Sequence, residues 1–267
     1  MNRRFWFGLL IVLSVLPAAC ASVPKDPQAR AVYERNNDPL EPLNRQIFAF
    51  NLRADQYVMR PVTKAYRAVT TPDFRKGVRT FFANLHTPVT VVNDILQLNL
   101  PEAGKELSRF TINSTLGFFG IFDVADRLGI APQAQSFGNT LGVWGSPPGP
   151  FLMLPLLGPS DVRDLIGMGA DIAFDPLTYA AVTHDRRTMA SILVSMDILE
   201  ALAKYENSLD LLDDARKNSL DYYAYTRSMY QQYRRAAVDE AAGRKNSEGQ
   251  KASYEFSLDD FDDENTE

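Results

Sequence analysis

Cysteine occurs once in the 267 residues and histidine twice. A single thiol excludes an intrachain disulfide and a cysteine zinc cluster, and His86 and His184 are too few for a histidine-rich metal site. The chain lacks a basic run. Between residues 20 and 254 it carries 26 Lys+Arg against 26 Asp+Glu, and such a neutral body gives nucleic acid no electrostatic footprint. After Cys20 no apolar stretch is long enough to cross a bilayer. Sustained apolar/polar alternation bounded by hairpin turns is missing too, so no strands are expected. There is no Gly-x-Ser-x-Gly elbow, no Walker lysine motif and no three-glycine dinucleotide loop. Asp213-Asp214 and the carboxylates near the end lack calcium-loop spacing. Neither an enzyme nor a bound metal or cofactor is expected.

What is present begins with an address. Arg3 and Arg4 precede the apolar run Phe5–Leu16, then Pro17, Ala18, Ala19 and Cys20. A charged start, a short apolar stretch and small residues read as a secretory signal peptide over residues 1–19. Cys20 after Ala18-Ala19 resembles the bacterial lipobox, whose cysteine is acylated, although Pro17 stands where leucine is usual. Ala21, in place of aspartate, favours the outer membrane. Residues 20–37 read as a lipidated tether. At the other end, the polar and then acidic stretch 241–267 reads as a disordered tail, with seven acids and no base from Glu255 onward.

Between these ends a period of 3.6 dominates, which predicts an all-α fold. Leu43, Ile47, Phe50, Ala54 and Tyr57 mark a first helix expected to stop before Pro61. Phe74, Val78, Phe81, Phe82 and Leu85 mark a second. Thr87-Pro88 looks like a helix start, and Pro101 opens a helix aligning Ala103, Leu107 and Phe110. Further helices fit 161–174, 186–206 and 221–238. Residues 136–160 differ, with 10 of the chain's 31 glycines and prolines beside Trp144 and the apolar run Phe151–Leu157. An apolar loop of this kind is either buried against the body or immersed in lipid. Eleven of the 14 phenylalanines that follow Cys20 fall between Phe48 and Phe151, whereas 7 of 11 tyrosines fall at or after Tyr205. Residues 40–160 thus read as a membrane-contacting half, or else as the larger core. The tyrosine-rich helices would face water or line a polar path.

The string Asp38-Pro39-Leu40-Glu41-Pro42-Leu43-Asn44-Arg45, with Phe48-Ala49-Phe50-Asn51 and Arg60-Pro61-Val62, resembles the opening of the MlaA (VacJ) lipoprotein family. The likeness continues through Arg109–Gly117, Asp123-Val124-Ala125, Phe137–Gly142, Gly149-Pro150-Phe151 and Arg163-Asp164. The resemblance implies a single ring-shaped helical domain, here 38–240, with an amphipathic channel, seated in the inner leaflet of a Gram-negative outer membrane. It also implies binding to a trimeric porin, and removal of misplaced phospholipid from the outer leaflet to a periplasmic carrier, which preserves lipid asymmetry. Gly138, Gly142, Gly145 and Gly149 would let a loop at the channel flex or approach closely. Asp38, Asn44, Arg45 and Asn51 would set closure of the ring, with helix capping the plainer role for Asp38. Arg163-Asp164 read as local helix-end pairs. A structural porin-associated or envelope-tethering lipoprotein is the alternative, and a lipid hydrolase a more distant one.

Overall fold

The computed structural model describes residues 38–175, 177–178 and 186–244. The signal peptide, the tether with Cys20, His184 and the tail beyond residue 244 lie outside the described residues. The described chain is predominantly helical, as the periodicity predicts, with one two-stranded hairpin.

Helix α1 (Glu41–Ala54) does not end before Pro61. It passes through a π-helical turn, Asp55–Met59, into α2 (Arg60–Val69). Pro61 falls in the first turn of α2, where a missing N–H costs nothing, and the Arg60 N–H reaches back to the Asp55 carbonyl. The expected break at Thr87-Pro88 is also absent. Pro88 sits inside α3 (Pro72–Leu96), a helix of 25 residues and about 37 Å. An interior proline costs about 3 kcal/mol. Packing along a face that buries Phe82, Val89, Thr90 and Asn93 offsets it.

Three residues turn α3 into α4 (Leu100–Thr115). A tight turn through Gly117–Phe122 then leads to the short α5 (Val124–Arg127), which Asp123 caps by accepting from the Asp126 N–H. Next come α6 (Phe137–Val143), capped by Ser136, and strands β1 (Phe151–Leu154) and β2 (Gly158–Asp161). The strands pair antiparallel, Phe151 opposite Asp161 and Leu154 opposite Gly158. This hairpin is the strand content that the sequence concealed. Helix α7 (Val162–Phe174) is capped by Asp161, and α8 (Arg186–Asn218) and α9 (Tyr222–Ala241) complete the chain, both longer than predicted.

The packing is inverted. Among the described residues, 11 hydrophobic residues are buried against 19 polar or charged ones, while 31 large hydrophobics are exposed. Helix α4 shows it plainly. Glu106, Arg109 and Asn113, at i, i+3 and i+7, form its buried face, and Leu107 points outward. Helix α7 buries Arg163 and Gly167 and exposes Leu165, Ile166 and Ile172. The small apolar core gathers Phe151, Met153 and Tyr223, with Ile47, Phe48 and Tyr230 against it.

Candidate functional site

Closure comes from the first residues of the domain. The Asp38 side chain does not cap α1. It is buried and accepts from Asn44 Nδ2 at 2.8 Å, Tyr223 Oη at 2.5 Å and Arg227 Nη1 at 2.9 Å. Arg45 reaches Asp221 at 2.7 Å and lies over the Tyr223 ring. The first and last helices are thus clasped together. A second ionic clasp, which nothing in the motifs pointed to, lies elsewhere. Glu206 of α8 is 4% exposed and meets Arg67, Arg75 and Arg79 at 2.8, 3.1 and 3.3 Å. His86 meets Glu200 at 3.0 Å and joins α3 to α8. Its hydrogen bond to Glu200 holds its pKa above the usual imidazole value, against burial.

Asn44 and Asn51 lie two turns apart on one face of α1, and both grip the hairpin. Asn44 donates to the Phe151 carbonyl at 3.0 Å and accepts from the Met153 N–H at 2.9 Å. Asn51 donates to the Leu154 carbonyl at 2.9 Å and accepts from the Leu156 N–H at 2.8 Å. Each carboxamide stands in for a peptide of a neighbouring strand, satisfying the free edge of β1. The hairpin is therefore held rigidly, with Phe151 and Met153 inward and Leu156-Leu157 projecting from its tip.

The four glycines separate into two kinds. Gly138 and Gly142 are not in a loop; they lie in α6, and their role is close packing. A Cβ at Gly142 would stand 2.7 Å from Val238 of α9, and one at Gly138 would stand 2.5 Å from Asp164. Gly145 and Gly149 do lie in the connection to β1, with φ of +90° and +72°, a backbone region that other residues rarely adopt.

Inside, α3, α6 and α7 share a polar network. Asn93 donates to Asp171 at 3.0 Å and accepts from Thr140 at 2.8 Å. Gln97 donates to Thr140, and Asn139 donates to Gln135 at 2.9 Å. Beside it Asp94 is 0% exposed, and neither of its carboxylate oxygens has a hydrogen-bond partner. Burial, with the nearby charges of Glu106 and Glu102, lifts its pKa to about 7. A carboxyl raised in the fold above its unfolded value destabilises progressively as pH climbs from about 4 to about 7. Asp94→Asn is therefore expected to gain about 1–3 kcal/mol of stability relative to the parent chain between pH 4 and pH 8. Unfolding midpoints at the two pH values check this.

Outside, the exposed apolar residues form runs. The turn after α4 presents Leu116, Phe118, Phe119 and Phe122. Phe118 and Phe119 both hold positive φ, +52° and +60°, and are 65% and 68% exposed. Left-handed backbone costs of order 1–3 kcal/mol per residue. Here it holds two aromatic rings out of the body. Of the phenylalanines between 48 and 151, only Phe82 and Phe151 are among the buried residues, so filling the core does not account for their number. No helix among the described residues is long and apolar enough to cross a membrane.

Between the hairpin, α7 and α9 lies a cavity of about 390 Å³ lined by Phe151, Asp161, Arg163, Tyr230, Arg234 and Arg235. Arg163 and Asp164 are not merely a helix-end pair. Asp164 accepts from Tyr230 Oη at 2.6 Å and Arg234 Nη2 at 2.5 Å, joining α7 to α9. Among the described residues no group of three or more His, Cys, Asp or Glu could hold a metal ion.

The family described as MlaA lipoprotein matches residues 36–237. An uncharacterized protein of Rickettsia bellii is 40% identical over 202 residues, covering 75% of this chain and 76% of its own. The intermembrane phospholipid transport system lipoprotein MlaA of Escherichia coli K12 is 35% identical over 170 residues, covering 62% of this chain and 65% of its own. A structure solved in work on the structural basis for maintenance of bacterial outer membrane lipid asymmetry is 31% identical. It aligns with 75% of this chain and 98% of its own at a TM-score of 0.62. The family match over most of the described residues and the shared, predominantly helical fold show that the chain belongs to the MlaA lipoprotein family.

Proposed function

We propose that this chain is an outer-membrane lipoprotein that removes misplaced phospholipid from the outer leaflet and passes it to a periplasmic carrier, maintaining lipid asymmetry. The observation that carries this reading is the inverted packing. A chain whose described residues include 31 exposed large hydrophobics and 19 buried polar side chains is arranged for an apolar solvent. With no membrane-spanning helix among the described residues, its place is one leaflet, held by an acyl anchor on Cys20. A phospholipid headgroup resists hydrocarbon by several kcal/mol, so its passage needs a polar-lined path. In the ring that the resemblance implies, Gly145 and Gly149 supply the loop that flexes at the channel. A trimeric porin would steady the ring in the bilayer. The relatives named for intermembrane phospholipid transport support the same reading.

Intact cells lacking this chain are expected to show phospholipid amines reactive toward a membrane-impermeant reagent, and the wild-type chain should restore protection. Cys20→Ser should fail to restore it. Unchanged asymmetry in the deleted strain would overturn the proposal.

A further inference from the structure

The arginine-lined cavity is open space that none of the contacts described above fills. Its volume of about 390 Å³ is at the small end for ligand sites, enough for a polar headgroup and too small for two acyl chains.

Its chemistry is defined by one unmet demand. Arg163 is 7% exposed, and its Nε has no hydrogen-bond partner. The nearest carboxylates do not meet it. Asp164 Oδ1 lies 3.7 Å from Arg163 Nε, and both Asp164 oxygens are engaged by Tyr230 and Arg234. Asp161 Oδ2 lies 3.8 Å from Arg163 Nη2, while Asp161 Oδ1 accepts from the Asp164 N–H. A buried guanidinium offers five N–H donors in a fixed plane and cannot lose its charge. Leaving such a group short of acceptors is costly unless an anion completes it. Arg163, Arg234, Arg235 and Arg244 line the cavity with Asp161 and Asp239. Even with Asp164 counted behind them, the site holds one positive charge in excess, which matches the single negative charge of a phosphodiester.

We infer that this cavity binds the phosphodiester of a lipid headgroup, with Arg163 and Arg234 as its inner donors and Arg235 at its mouth. The inference rests on the phospholipid-transfer reading and gives it a resting place for the headgroup. Phe151 and Val238 supply the apolar wall beside it, toward which the glycerol end would lie. Phosphate is also offered by the free ion, so the test must separate the two sources.

The full chain, held in amphipol, is titrated with dihexanoyl phosphatidylglycerol below its micelle concentration, with dihexanoylglycerol, and with inorganic phosphate. The expected result is saturable binding of the phosphatidylglycerol, none of the diacylglycerol, and poor competition by inorganic phosphate. Arg163→Gln should weaken that binding by about tenfold or more, and Arg163→Lys should recover part of it. Arg235→Gln, on an exposed side chain, should weaken it severalfold without disturbing the fold, and it decides the matter if Arg163→Gln fails to fold. Equal competition by inorganic phosphate, equal binding of the diacylglycerol, or wild-type affinity in both Gln variants would overturn the inference. The two readings fail separately. A wild-type chain that moves no lipid between vesicles sinks the transfer function. Undiminished phosphatidylglycerol binding in the Gln variants of a chain that does move lipid sinks only this site.

Discussion

Asp38→Ala is expected to lower stability by about 3–5 kcal/mol, the range found when one member of a buried ion pair is removed. The reason is what remains behind. Asp38 is 2% exposed and accepts from Asn44, Tyr223 and Arg227. Without it the Arg227 guanidinium stays buried, with Glu41 at 3.5 Å as its remaining acidic neighbour among the described residues. The Tyr223 hydroxyl and the Asn44 amide lose an acceptor at the same time. Asn44 also holds β1, so the damage should pass from the α1–α9 clasp into the hairpin. For a domain of this size the loss corresponds to roughly 6–20 °C in the unfolding midpoint. Asp38→Asn keeps the shape and one acceptor oxygen, and its loss should be about half as large. Lys105→Ala, at an exposed salt bridge on α4, should stay within about 0.5 kcal/mol. Thermal unfolding followed by helical circular dichroism compares the three. A midpoint for Asp38→Ala within a degree or two of the wild type would show that the clasp does not hold the domain closed.

Of that clasp, Asp38, Asn44 and Arg45 are legible in the family motif, whereas their partners Asp221, Tyr223 and Arg227, and the physics of the contacts, are not. Helix positions follow from a local period, and most helices were found at the right place. The period does not say which side faces in. On α4 the alignment of Ala103, Leu107 and Phe110 reads as a core face, whereas the structure buries Ala103 together with Glu106, Arg109 and Asn113 and exposes Leu107. A polar stripe of that spacing, beside apolar residues on the opposite side, was the available signal. Pro61 and Pro88 were read as breaks because local sterics favour one, yet a π-helical turn accommodates the first and tertiary packing the second. The hairpin escaped notice because its four-residue strands include Gly158 and Pro159 and do not alternate. Asn44 and Asn51 were picked out by the family motif, but their pairing with a strand more than 100 residues away is a long-range fact. Asp94, Glu206 and the unmet Nε of Arg163 depend on burial, and burial was the one quantity the apolar pattern misassigned.

Replacing Phe118 and Phe119 together with Asp is expected to abolish lipid transfer while leaving the fold intact. Both rings are exposed on backbone held at positive φ, so neither contributes a buried contact to the body. Asn113, Gly117 and Gly120 hold the turn instead. The Gly120 N–H donates to the Asn113 carbonyl at 2.8 Å, and the Phe122 N–H to that of Gly117 at 2.9 Å. Aspartate adopts positive φ more readily than phenylalanine, so the backbone should tolerate the change. In hydrocarbon the balance is different. Moving from phenylalanine to aspartate costs up to about 3–4 kcal/mol per residue at membrane depth, less nearer the headgroups. Two such changes oppose seating strongly. Trp144 is exposed and is the one tryptophan that follows the signal peptide, so it gives a direct readout. Lipids brominated along their acyl chains should quench Trp144 in the parent chain and quench it weakly in the double variant. The unfolding free energy should stay within about 1 kcal/mol of the parent, because nothing buried has been removed. If quenching and transfer both survive the two aspartates, this turn does not enter the lipid, and the strain at Phe118 and Phe119 serves some other contact.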